Sequence, residues 1–187
     1  MGSVGLLRSI GFQDLDLILS WRNAPQVRKN MYSQHEITRE EHLEWWRGIA
    51  SSGDKKYFIY ELNGAPHGVV GITDINQNHN TCSWAFYSSE SAPRGIGSCM
   101  ELLALEYIFY NLKIYKLNCE VFQFNAPVLR MHTKFGFIVE GVFQKGYLLD
   151  GERVDIVRLA LFSNKWAEHR LDMIKSVERV MGAIYGK

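Results

Sequence analysis

Arg94–Phe109 reads RGIGSCMELLALEYIF, two glycines one residue apart followed by a segment that is apolar on almost every side. Gly95-Ile96-Gly97 forms a tight turn, and the run behind it predicts a helix over residues 98–110, buried in the protein rather than lying on its surface. HNTCSWAFYSS (residues 79–89), just before the turn, reads as a strand. The order strand, glycine turn, helix leaves main-chain amides unpaired at a helix N-terminus. Those donors, with the positive end of the helix macrodipole, suit a phosphate or pyrophosphate. A P-loop would need a longer glycine loop ending in Lys and Ser or Thr, and a dinucleotide fold a third glycine and a repeating βαβ order, so both are excluded. A tight turn with no ligand is the alternative at this point.

Outward from the turn, the pattern alternates strands and helices. VGLLRSI (4–10) predicts a first strand, and DLDLILSWRN (14–23) an amphipathic helix on which Leu15, Ile18, Leu19 and Arg22 rise on neighbouring turns, with Arg22 near its end. Thr38 followed by Glu41 is a capping-box signal and predicts a helix from about Thr38 to Ala50. KKYFIYEL and HGVVGITDIN, joined across Asn63-Gly64, predict a hairpin with a type I′ turn. After the buried helix come a strand in YKLNCEVFQF, a short helix in APVLRMHTKF, and a last strand pair, FIVEGVF and RVDIVRLALF, with a turn at Asp150-Gly151. Beyond Phe162, the residues Trp166, Ile174, Val177, Met181 and Ile184 recur at helical spacing among charges. That C-terminal helix either packs on its own domain or lies across a twofold partner, which would make the chain a homodimer. The fold class is α/β (α+β): a mixed, largely antiparallel sheet of about seven strands flanked by helices, with residues 1–162 forming the domain and 163–187 the added helix.

Composition narrows the function. With 187 residues, 47% hydrophobic and 13% aromatic, the chain builds one sizeable core. Twenty-one Lys and Arg against 20 Asp and Glu give a net charge of +1, so no whole-protein field favours nucleic acid or an anionic membrane, and small molecules are the expected partners. Cys82, Cys99 and Cys119 lie far apart with no metal-ligand spacing, which predicts buried reduced thiols, no metal and a cytoplasmic setting. The opening MGSVGLLRSIGF carries neither a basic leader nor a long apolar run, Leu6 stands where a myristoylation signal needs Ser or Thr, and Gly2-Ser3 has the look of a cloning remnant.

In this context the glycine turn resembles the signature loop of the GCN5-related N-acetyltransferases (GNATs). The family pattern of Arg or Gln, two residues, Gly, one residue, and Gly or Ala falls on residues 92–97, except that Ala92 stands at the first position and the basic residue, Arg94, comes two places later. A second segment, NAPVLRMHTKFGF, resembles the family's later motif, with Asn125, Leu129, Lys134, Gly136 and Phe137 in register. The resemblance covers roughly residues 4–162. It implies that acetyl-CoA is the cosubstrate, its pyrophosphate held by main-chain amides of Arg94, Gly95, Ile96, Gly97 and Ser98, with Asn125 opening the next helix at the cofactor. It also implies that the bulged strand SWAFYSS offers an amide to the thioester carbonyl near Phe86 or Tyr87.

The family usually draws the leaving thiolate's proton from a Tyr four residues before the Gly that ends the second motif, and here that position is His132. His132 is therefore the candidate acid, the alternative being that it only packs beside the cofactor while water supplies the proton. Glu120, on the strand leading to that helix, is the candidate base acting through a water, or else points harmlessly into solvent.

The N-terminal third, WRNAPQVRKNMYS with ITREEHLEWW, resembles a branch that acetylates the 4-amino group of a UDP-linked 4-amino-4,6-dideoxy-N-acetylaltrosamine in the pseudaminic-acid pathway. Carried over, this puts Arg22, His42, Thr73 and Tyr87 in a UDP-amino-sugar pocket, where Arg22 and His42 face phosphates, Thr73 hydrogen-bonds and Tyr87 orients a ring. Asp74 would repel a diphosphate, but period-two alternation is expected to turn it away from the face of Thr73. Ribosomal-protein alanine acetyltransferases share the Trp-Arg-Asn element and are the alternative. A non-catalytic acyl-CoA-binding protein is a further one, prompted by Ala92 and His132.

Overall fold

A computed structural model describes residues 4–185; Gly2, Ser3 and the side chain of Ile184 lie outside what is described. The elements in chain order are β1 (Leu6–Ser9), α1 (Leu15–Asn23), α2 (Pro25–Arg28), α3 (Arg39–Ala50), β2 (Lys56–Leu62), β3 (Ala65–Asn76), β4 (Thr81–Ser88), α4 (Ile96–Glu106), β5 (Lys116–Phe122), α5 (Ala126–Lys134), β6 (Ile138–Leu149), β7 (Glu152–Phe162) and α6 (Ser163–Tyr185). The seven strands form one sheet in the order β1-β2-β3-β4-β5-β7-β6. All neighbours are antiparallel except β4 and β5.

Local signals account for much of this. Thr38 accepts from the Glu41 amide while the Glu41 carboxylate accepts from the Thr38 amide, the reciprocal box that starts α3. Asn63 and Gly64 both take positive φ, 54° and 77°, as a type I′ turn between β2 and β3 requires. The helix after the glycine turn is α-helical only to Glu106 and continues as a π turn over Tyr107–Asn111. Pro25 at its first turn starts α2, a short helix absent from the sequence expectations.

The feature that positions the site is the parallel pair. β4 and β5 are in register only over Thr81–Ser83 and Lys116–Asn118. Beyond that, β4 stays with β3 as far as Ser88 and β5 stays with β7 as far as Phe122, so the two strands part and the sheet opens. The register of β3 and β4 is continuous from Gly68↔Ser88 to Thr73↔Ser83, and the irregularity lies between Thr73 and Asn76. The expected bulge in SWAFYSS is thus absent, and the free edge of β4 comes from the splay.

Two apolar clusters cover the two faces. The main one joins α4, with Cys99, Met100, Leu102, Ala104 and Leu105 buried, to the sheet and to α6. A smaller one gathers Ile18, Ile59 and Val69 under α1 and α3. α6 packs on its own chain: Trp166 is fully buried and donates to Glu106, Arg170 grips the same carboxylate through Nε and Nη2, and Val177 and Met181 enter the main core. Cys82, Cys99 and Cys119 are all buried and free, and burial pushes the Cys82 and Cys119 thiols up to about 12.

Candidate active site

Gly95 caps α4 with φ 89°, a left-handed conformation that glycine adopts without strain. The amides of Ile96 and Ser98 turn back to the carbonyls of Pro93 (3.3 Å) and Gly95 (3.1 Å), whereas those of Arg94, Gly95 and Gly97 find no acceptor among the described residues. The side chain of Ile96 is core, 1% exposed. The cradle is therefore narrower than the five amides expected. Gly97 is helical, and an added Cβ would meet Met131 Sδ at 3.4 Å, an ordinary contact. Neither backbone nor packing demands glycine there, and the Gly97 amide at the N-terminus of α4 is left open to a ligand approaching from outside. Arg94 is exposed and enters no ion pair among the described residues, while Ala92 is half-buried against the main core.

The gap between the splayed strands is a cleft of about 480 Å³, walled by Trp84–Ser88 on one side and Cys119–Phe122 on the other and closed at one end by Asn125, Val128 and His132. Alternation along β4 sets the chemistry of its two faces. Trp84 and Phe86 point to the α5 side, where their ring centroids lie 5.5 and 6.0 Å from that of His132, and Phe137 completes the surround at 4.9 Å. Asn125 caps α5 and its carbonyl takes the amides of Val128 and Leu129.

His132 is only 3% exposed, and its Nδ1 lies 2.8 Å from Oε1 of Glu101, which is 0% exposed. Oε2 of Glu101 is buried with no partner. Burial pushes the Glu101 carboxyl above its ordinary range, with the His132 contact working the other way. Glu101 was missed from the sequence, although a carboxylate inside so apolar a helix is the signal that could have found it. Glu120 lines the same cleft and is exposed to solvent, but it is engaged rather than free. It accepts from Arg158 Nη1 at 2.9 Å and from the Tyr32 hydroxyl at 2.5 Å, and Arg158 is its cross-strand neighbour on β7.

A second pocket, about 420 Å³, opens on the other face of β4 and brings together Arg22, His42, Thr73 and Tyr87. The two pockets meet across β4 at Ala85 and Tyr87. Arg22 spends Nη2 on the Ser33 carbonyl (3.0 Å) and hydroxyl (2.7 Å), while its Nη1 is buried with no partner. His42 is stacked on Trp45 at 4.8 Å, its Nε2 is buried and unpartnered, and burial holds its pKa below the ordinary imidazole value. It is thus a neutral ring and not the second cation expected from the sequence. Burial also pushes the Tyr87 phenol up, opposed by Arg22. Asp74 does not turn away. At the register shift it takes φ 52°, and the Thr73 hydroxyl lies 3.3 Å from its Oδ2, so alternation fails at that residue.

Among the described residues no cluster of three or more His, Cys, Asp or Glu could hold a metal ion, and no helix is long and apolar enough to cross a membrane.

Comparison with known proteins bears on this geometry. Residues 6–138 match the acetyltransferase (GNAT) domain model. The chain is 27% identical over 128 residues to the acetyltransferase PseH of Campylobacter jejuni strain 81-176, covering 68% of this chain and 78% of that protein. It is 28% identical over 166 residues to spermidine N(1)-acetyltransferase of Escherichia coli K12, covering 88% and 89%. Its fold superimposes on Vibrio cholerae spermidine N-acetyltransferase, solved with CoA and spermine, with TM-score 0.82 at 20% identity over 86% of this chain and 96% of that one. With the family model spanning most of its length, the chain belongs to the GNAT acetyltransferases and is an acetyl-CoA-dependent N-acetyltransferase.

Proposed function

We propose that the acceptor is a UDP-linked 4-amino-4,6-dideoxy-N-acetyl sugar, acetylated on its 4-amino group as in pseudaminic acid biosynthesis. The observation that carries this is Arg22, a guanidinium with one buried, unpartnered nitrogen in a pocket walled by Trp45, Tyr57 and Tyr87. A forked cation with a spare donor suits a phosphate, and the aromatic walls suit a base or sugar ring. A polyamine would want free carboxylates. Glu41 lines the pocket but is already engaged by His35 at 3.0 Å and by the Thr38 amide at 2.7 Å. Asp74 beside Thr73 opposes phosphate at that end, which leaves the Arg22 end for the diphosphate.

Acetyl-CoA supplies an activated acetyl thioester. In this reading the free amides of Gly95 and Gly97 hold its pyrophosphate, the open edge of β4 near Phe86 and Tyr87 polarises the carbonyl, and His132 gives the proton that the sulfur needs. Glu120, shared with Arg158 and Tyr32, orders the water that takes the amine's proton. The test is Arg22→Ala, which removes one charge-assisted contact. The Michaelis constant for the UDP-4-amino sugar should rise about ten- to a hundredfold, with that for acetyl-CoA little changed and Arg22→Lys in between. An unchanged constant for the nucleotide sugar in folded Arg22→Ala would remove the proposal's support.

A further inference from the structure

Glu101 and His132 come from different elements, α4 and α5, and meet where neither touches bulk water, with a 2.8 Å contact at 0% and 3% exposure. A lone carboxylate in such a place is strongly disfavoured, and the unpartnered Oε2 of Glu101 makes it more so. The pair sharing one extra proton is net neutral, as carboxylate with imidazolium or as carboxylic acid with imidazole. Either form commits Nδ1 to Glu101 and puts a hydrogen on Nε2, on the ring that lines the cleft.

The groups facing the pair do not compete for this role. β4 contributes only the rings of Trp84 and Phe86, and Phe137 packs from beyond α5. β5 brings the Cys119 thiol, which burial keeps protonated, and Glu120, which is held by Arg158 and Tyr32. Among the described residues Glu101 has no other ion-pair partner.

We propose that Glu101 is the positioning residue of a buried Glu–His acid pair, fixing the imidazole with its Nε2 hydrogen toward the cleft. The proposal rests on the reading of His132 as the acid. The amine lone pair forms the new C–N bond, and the electron pair of the breaking C–S bond stays on sulfur, which takes the Nε2 proton. The carboxylate of Glu101 and neutral His132 with its hydrogen on Nδ1 are left behind. The nitrogen's surplus proton passes to water, and solvent in the cleft returns one proton to Nε2.

The test uses the full chain labelled with ¹⁵N-histidine, beside an unlabelled set for kinetics with a UDP-4-amino sugar. NMR of the free protein follows the His132 ring without any acceptor. The ring-nitrogen shifts should report a hydrogen on Nε2 in the wild type and a mixture of tautomers in Glu101→Gln, with kcat lowered while the Michaelis constant for acetyl-CoA stays the same. In the His132→Tyr background Glu101→Gln should no longer lower kcat, since a phenol needs no such partner. Unchanged ring-nitrogen shifts, or an equal loss of kcat in both backgrounds, overturns the proposal and leaves Glu101 a packing residue. Full turnover in His132→Ala would instead overturn the acid reading itself, even with the NMR shift present.

Discussion

Removing His132 should separate chemistry from binding. His132→Ala is expected to lower turnover by roughly 10²-fold, the low end for an acid–base group, with acetyl-CoA affinity nearly unchanged, and His132→Tyr should restore much of the rate with a different pH profile. Single-turnover assays beside cofactor titrations check both. His42 makes a prediction of the opposite kind, about stability. Its buried ring has a lowered pKa, so the native state takes up a proton less readily than the unfolded chain. Its contribution is therefore intact above about pH 6.5 and is lost as the pH falls below that value toward the lowered native one. The urea midpoint should fall less between neutral and acidic pH in His42→Asn than in the wild type, and an equal fall in both would refute the shift. At this scale the sequence was readable for residue type and position but not for surroundings. His132 and Arg22 stand out by motif, whereas the neutrality of His42, the turn of Asp74 toward Thr73 and the depth of Glu101 depend on burial and on a register shift that no local pattern records.

Elements with local causes were legible. The capping box of α3, the Asn63-Gly64 hairpin and the apolar helix after the glycine turn each follow from a few neighbouring residues. The splay of β4 from β5 does not, because it depends on β5 leaving with β7 after a short parallel pairing, a contact between segments far apart in the chain. Two element-scale outcomes are expected. Gly97→Val should raise the dissociation constant for acetyl-CoA by standing over the free amide while leaving the fold intact, since its first carbon has room; calorimetry with an unchanged melting profile checks this. Trp166→Ala should destabilise the protein by about 3–5 kcal/mol, because it empties a fully buried site and strips a donor from Glu106. A loss under about 1 kcal/mol in chemical denaturation would mean that α6 is dispensable to the core.

Across the whole molecule a net charge of +1 leaves recognition to local groups. The cleft and the second pocket meet across β4 at Ala85 and Tyr87, so the proposed reading has the acceptor reach from the second pocket into the cleft. This arrangement suits several acceptors, and relatives at similar identity carry names as different as PseH and spermidine acetyltransferase. In the proposed reading the under-satisfied guanidinium of Arg22 favours a phosphate at its end of the pocket, while Glu41 is engaged and Asp74 lies beside Thr73 at the other end. The most direct measurement is thiol release from acetyl-CoA by the purified chain given, in parallel, the UDP-linked 4-amino sugar, the same amino sugar without its nucleotide, spermidine and an alanine-initiated peptide. The account predicts the highest kcat/KM for the UDP-linked sugar and competitive inhibition by UDP; faster reaction with spermidine or the peptide, or no competition by UDP, would contradict it.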